Sequence, residues 1–224
     1  MCELHVLRVF VNENGECGNP LGVFLASPWH SAAERQRVAQ RLGFSETVFV
    51  QDREQASIRI HTPQLELPFA GHPLIGVAWL LAKTGKAAGI LRPPAGEVEA
   101  RVALDRAQVT ARPSWAPAFD YRRLESPAEV GSLNPADAER NVYAWAWIDE
   151  SAGTIRARSF VPEAGIVEDE ATGSAALALC RQLGRAVTIH QGRGSVIEAR
   201  PLGDDLAEVG GRVALDEVRP FGVR

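Results

Sequence analysis

The stretch LPFAGHPLIGVAWLLA, residues 67–82, has no wet face. A helix lying on the surface of a core carries one apolar stripe and one polar side. From Leu74 to Ala82 this one is apolar all round, so other elements must cover it on every side. The run is far shorter than the roughly 20 residues a bilayer span needs. A second helix is predicted through SAALALCRQL, residues 174–183, and it too is nearly apolar in its first two turns. Around each helix lie short segments rich in Val, Ile and Phe that read as strands. Wrapping strands around a helix is the simplest way to bury it. The sequence therefore predicts an α+β fold of two β-rich lobes, each a β-barrel around a central apolar helix.

The two halves repeat one order. RIHTP (59–63), a loop, AGHP (70–73) and the first apolar helix are followed later by RSFVP (158–162), a loop, ATGS (171–174) and the second. Such pseudo-symmetric lobes would meet at a cleft, and clefts between lobes favour ligands. The first lobe is expected over residues 1–112 and the second over 113–224, with the last strand free to return to the first. The Pro-rich, polar stretch from Pro113 to Pro135 reads as a linker. Outside the repeat, Ser31 and Glu34 form a capping box before a helix to Leu42, which Gly43 can close.

Both apolar helices begin with Gly and a polar residue. A helix start exposes unpaired N–H groups with partial positive charge, and Gly lets a ligand approach the backbone. Two such starts facing one gap would suit a small carboxylate. The competing reading is that His72 and Ser174 merely cap their helices. Three titratable residues stand out by position. Glu46 falls between a helix stop and a strand; His72 opens the first apolar helix; Asp169 lies just before the second. Together they would form an acid/base set, although a solvated turn acid, a core histidine and a wet acidic run are the plainer readings. Their spacing fits no zinc signature, and no phosphate-binding or dinucleotide-binding glycine loop is present. GRGS, residues 192–195, is a near-miss to a nucleophile elbow.

Net charge is −4 with the signs interleaved, which argues against nucleic acid. Three unpaired cysteines and an N-terminus that reads as a strand fit a cytoplasmic protein without disulfides.

GNP (18–20), SET (45–47), TPQLELPFAGH (62–72), EDEATGSA (168–175) and VGG (209–211) occur together and in this order. In that combination the chain resembles the phenazine-biosynthesis PhzF-like family, whose fold is that of diaminopimelate epimerase. The resemblance implies an isomerase that moves a proton within a dihydro-hydroxyanthranilic acid, without cofactor or metal. It assigns Glu46 as the base, with His72 and Asp169 beside it. Gly71, Gly173, Ser174 and Asn19 match positions lining the substrate pocket, and a homodimer is implied. The epimerases and racemases that share the fold use a thiol before each central helix, where this chain has Ala70 and Ala171. The chain also looks compressed between His72 and Asp169, so a shortened second lobe is expected. A catalytically inactive carboxylate-binding protein that kept the fold is the alternative.

Overall fold

The computed structural model describes residues 2–203 and 205–222. The chain opens with β1 (Cys2–Val11), β2 (Asn19–Phe24), α1 (Ala32–Leu42), β3 (Glu46–Asp52), β4 (Ser57–His61), β5 (Glu66–Leu67) and α2 (Gly71–Lys83). Then come β6 (Ile90–Leu91), β7 (Val98–Ala103), β8 (Arg106–Ala111), β9 (Asp120–Arg123) and α3 (Pro127–Ser132). The remainder is β10 (Val142–Asp149), β11 (Thr154–Val161), β12 (Ile166–Asp169), α4 (Gly173–Leu183), β13 (Val187–Gln191), β14 (Ser195–Pro201) and β15 (Ala207–Phe221). All strands join one 15-stranded sheet.

The repeat is visible in the pairing. In the first half β2 runs parallel to β3 across α1, β3 pairs antiparallel with β4, and β4 with β5, which leads into α2. In the second half β9 runs parallel to β10 across α3, β10 pairs antiparallel with β11, and β11 with β12, which leads into α4. Even one ion pair repeats: Arg59 meets Glu66 at 3.5 Å and Arg158 meets Glu168 at 2.6 Å. A parallel pair needs a crossover connection, and α1 and α3 supply it.

The last strand joins the halves. β15 pairs with β14 and β8 near its start and with β1 along the rest. The first half's circuit returns on itself through a bridge between Ser57 and Arg92. The second half's strands run from β15 through β14, β13, β11 and β10 to β9. That end strand, DYRR, is short and arginine-rich, which blunts an open edge.

Both apolar helices lie inside. Every residue of α2 from Gly71 to Leu81 is buried. In α4, Gly173 to Leu177, Leu179 and Cys180 are buried. One continuous apolar cluster contains both helices. Amphipathic α1 instead packs outside the first half, over Phe24, Trp29, Phe49 and Phe221. It has the capping box of Ser31 and Glu34, and Gly43 closes it in the left-handed conformation. No helix among the described residues is long and apolar enough to cross a membrane.

The stretch read as a linker is folded. It contributes β9 and α3, and the Val130 side chain is fully buried. Leu124 and Leu133 pack on Val142, Ala144 and Phe160. Pro113, Pro127 and Pro135 sit at the starts of short helical turns, where a missing N–H costs nothing; they do not mark a flexible segment.

Candidate active site

The starts of α2 and α4 abut. A Cβ on Gly71 would lie 2.9 Å from the carbonyl carbon of Gly173, and one on Gly173 would lie 3.2 Å from the His72 nitrogen. Only glycine at both places lets the two backbones come this close. Neither helix start has a side-chain cap: Ala70 offers none, and the Thr172 hydroxyl is turned to Asp169. His72 and Ser174 therefore lie inside the first turns and do not act as caps. The uncapped amides of both helices are left for a partner.

Three ionisable groups converge here. Glu46, the first residue of β3, His72 in α2 and Asp169, the last residue of β12, are all buried. Glu46 Oε2 and His72 Nε2 stand 3.3 Å apart. They are not aligned for a hydrogen bond, and each is a buried polar atom with no partner among the described residues. Asp169 is richly bonded by contrast. Asn19 donates to Oδ1 and the Thr172 hydroxyl to Oδ2, each at 2.6 Å. Asn19 also donates to the Ala171 carbonyl at 3.0 Å and accepts from the Ser45 hydroxyl at 2.8 Å.

Burial sets the charges. It raises the Glu46 pKa well above the usual carboxylate value, and the Asp169 charge adds to the effect. It also raises Asp169, to about 6, against the bonds from Thr172 and Asn19 that favour the anion. It lowers His72 to about 3, with the Pro20 carbonyl acting in the other direction. Burial thus favours an uncharged imidazole and raises the proton affinity of both carboxyls, while the donors from Thr172 and Asn19 favour the charge on Asp169.

Glu46 and Asp169 border a cleft of about 250 Å³. Glu46, Asp169, Thr172 and Ser174 line one side, while Leu67, Phe69, Phe119 and Ile166 give it apolar walls. It is smaller than the about 300–1,000 Å³ of drug-sized sites, so it suits a molecule of one ring. All seven predicted site residues are in this region. Glu46, Asp169 and Ser174 line the cleft; His72 touches Glu46; Asn19 bonds Asp169; Gly71 and Gly173 form the helix contact.

Several residues escaped the sequence reading. Thr172 lies within the quoted EDEATGSA motif, but nothing there marked its bond to Asp169. Phe119 comes from the supposed linker. Gln191, at the end of β13, donates to the Asp169 carbonyl at 2.9 Å, and no local pattern marks it. The GRGS serine, Ser195, is fully buried. It accepts from the Gly18 amide at 2.9 Å and donates to Glu170 at 2.7 Å, so it ties the loop before Asn19 to the second half. The cysteines lie elsewhere: Cys180 is buried in α4 with its thiol pKa pushed up to about 12 by burial.

Comparison with known proteins agrees with the fold. Residues 7–146 match the PhzC-PhzF family, phenazine biosynthesis-like protein. The trans-2,3-dihydro-3-hydroxyanthranilate isomerase of Pseudomonas aeruginosa is 32% identical over 228 residues, covering 84% of this chain and 82% of that enzyme. A phenazine biosynthesis PhzC/PhzF structure from Clostridium difficile superposes with a TM-score of 0.82 over 100% of both chains at 18% identity. A hydroxyproline epimerase from Agrobacterium vitis shares the fold with a TM-score of 0.66, at 12% identity over 97% of this chain and 91% of that one. This chain belongs to the phenazine biosynthesis-like PhzC-PhzF family and is similar over most of its length to enzymes named as isomerases.

Proposed function

We propose that this chain is a cofactor-independent isomerase that moves a proton within a small cyclic carboxylic acid, with Glu46 as general base. The observation that carries the reading is the unpartnered, buried pair of Glu46 Oε2 and His72 Nε2 beside the cleft. Leaving such atoms unpaired costs stability, and a bound ligand would satisfy them. The substrate carboxylate would rest on the uncapped amides of α2 and α4, where the helix dipoles favour an anion. Its ring would lie against Phe69 and Phe119.

In the reaction the ionised Glu46 takes a proton from a ring carbon. The C–H electron pair moves into the neighbouring bond and shifts a double bond. Glu46–H, whose proton can exchange with solvent, then gives a proton to another carbon, so one proton leaves and one arrives. Desolvation and the nearby Asp169 charge make Glu46 a stronger base than an exposed carboxylate. His72, being neutral, supports the transfer by hydrogen bonding. The similarity to trans-2,3-dihydro-3-hydroxyanthranilate isomerase suggests that compound as the first substrate to test. The resemblance also makes a homodimer part of the proposal, which sedimentation at micromolar concentration tests.

The deciding experiment follows deuterium uptake from D₂O into that substrate. The wild type should isomerise it and incorporate label, and Glu46→Gln should do neither. Unchanged exchange in Glu46→Gln would reject Glu46 as the base. Saturable binding without turnover would favour a carboxylate-binding protein that has lost catalysis.

A further inference from the structure

Gln191 is fully buried and makes four hydrogen bonds. Two of them are to backbone groups whose polarity is fixed. Its Nε2 donates to the Asp169 carbonyl at 2.9 Å, and its Oε1 accepts from the Thr172 amide at 3.2 Å. A carbonyl can only accept and an amide N–H can only donate. The side-chain amide therefore has one allowed orientation. Tyr143 completes it by donating its hydroxyl to Oε1 at 2.9 Å.

That orientation has a consequence for the next group. Gln191 Nε2 also donates to the Thr172 hydroxyl oxygen, at 3.0 Å. The hydroxyl has one proton, and with Gln191 as its donor that proton is directed to Asp169 Oδ2, 2.6 Å away. The other carboxylate oxygen meets the same kind of constraint. The Asn19 amide faces the Ala171 carbonyl, so its Nδ2 donates to Oδ1. Both oxygens of Asp169 thus face donors. Adding a proton to either would remove the charge that strengthens the bonds these donors make.

We propose that Gln191 is a positioning residue: it fixes the Thr172 hydroxyl as a donor and so keeps Asp169 ionised inside the site. This deepens the reading of Asp169 as the charged neighbour of Glu46 and rests on it. Burial works the other way, as do the acidic groups around Asp169. Glu46 faces it from β3, Tyr143 from β10, and Glu168 and Glu170 flank it in the chain. Among the described residues no cation pairs with the Asp169 carboxylate; Arg158 is held by Glu168 and Arg193 by Glu170. Hydrogen-bond donors are what the site offers the charge, and Gln191 fixes the direction of one of them.

The test is a titration of the Asp169 side-chain carboxyl by ¹³C NMR in the free, full-length protein, with fold checked by circular dichroism. In the wild type the midpoint should lie near 6. Gln191→Met, which fills the space without donating, should move the midpoint up by about one pH unit, the worth of a lost bond to a charged group. Tyr143→Phe leaves both Gln191 donors in place and should barely move it. If Gln191→Met does not fold, the near-isosteric Thr172→Val reads the same link and should raise the midpoint, whereas Thr172→Ser should restore it. An unmoved midpoint in folded Gln191→Met, or in Thr172→Val, would overturn the proposal. The measurement needs no substrate, so its failure is separable from that of the Glu46 reading, which isotope exchange tests.

Discussion

Gly71 and Gly173 meet backbone to backbone at the point where the two halves of the repeat join. A side chain on Gly71 would begin 2.9 Å from the carbonyl carbon of Gly173 and 3.0 Å from the Ser174 nitrogen. Neither neighbour can yield without moving a helix. The contact therefore sets the distance between the two sets of uncapped amides.

Gly71→Ala should destabilise the protein by about 1–3 kcal/mol, the usual penalty for overpacking a tight interior. It should also lower ligand affinity by parting the helix starts. Urea unfolding together with carboxylate titration checks both. A variant of wild-type stability and affinity would show that the contact is slack.

Glu46→Gln should be more stable than the wild type at pH 8. The folded-state pKa of Glu46 is raised by burial and by Asp169. The folded chain thus binds more protons than the unfolded one as pH rises through the ordinary carboxylate range and above, and stability falls there. A neutral amide removes that loss. A gain on the order of 1 kcal/mol at pH 8 is typical when a functional liability is removed, and it should shrink towards pH 4. Thermal melts at the two pH values measure it.

His72 should remain neutral throughout the working range. Its pKa is lowered to about 3 by burial. The unfolded chain takes up a proton near 6.5 that the folded chain refuses, so this residue's contribution to stability is lost as pH falls below about 6.5. The ring-proton NMR shifts of His72 should not titrate between pH 5.5 and 8. A midpoint near 6.5 would mean that the imidazole is solvated.

The sequence made some of this legible and concealed the rest for physical reasons. The unbroken apolar helix at residues 74–82 announced its own enclosure, because no other arrangement could bury all its faces. The capping box at Ser31 and the stop at Gly43 were equally plain, being local chemistry. Glu46, His72 and Asp169 were identified through motifs, although their plainer readings as turn acid, core histidine and wet surface were each sound when taken alone. Only the fold brings them together. The residues from Pro113 to Pro135 read as a linker because α3 is one short turn-rich helix and β9 a strand of four residues, too brief to show periodicity. Their position becomes clear only when matched to α1 and β2 in the first half. Gln191 could not have been found, since it reaches Asp169 from a strand that enters the site 22 positions later.

Wild-type kcat/KM should rise with pH along a limb set by Glu46, placed well above the ordinary glutamate range because of burial and the Asp169 charge. Asp169→Ala removes the like charge and should move that limb to lower pH while lowering the maximum by roughly 10²-fold or more. A steady-state pH series for both proteins decides it, and an unmoved limb would show that the two carboxyl groups do not interact.

The most direct trial of the whole account is a crystal structure with benzoate soaked in as a minimal one-ring acid. Its carboxylate should rest on the amides of residues 71–72 and 173–174, with the ring against Phe69 and Phe119 and its edge facing Glu46. Benzoate bound elsewhere, with that gap filled only by ordered water, would contradict it.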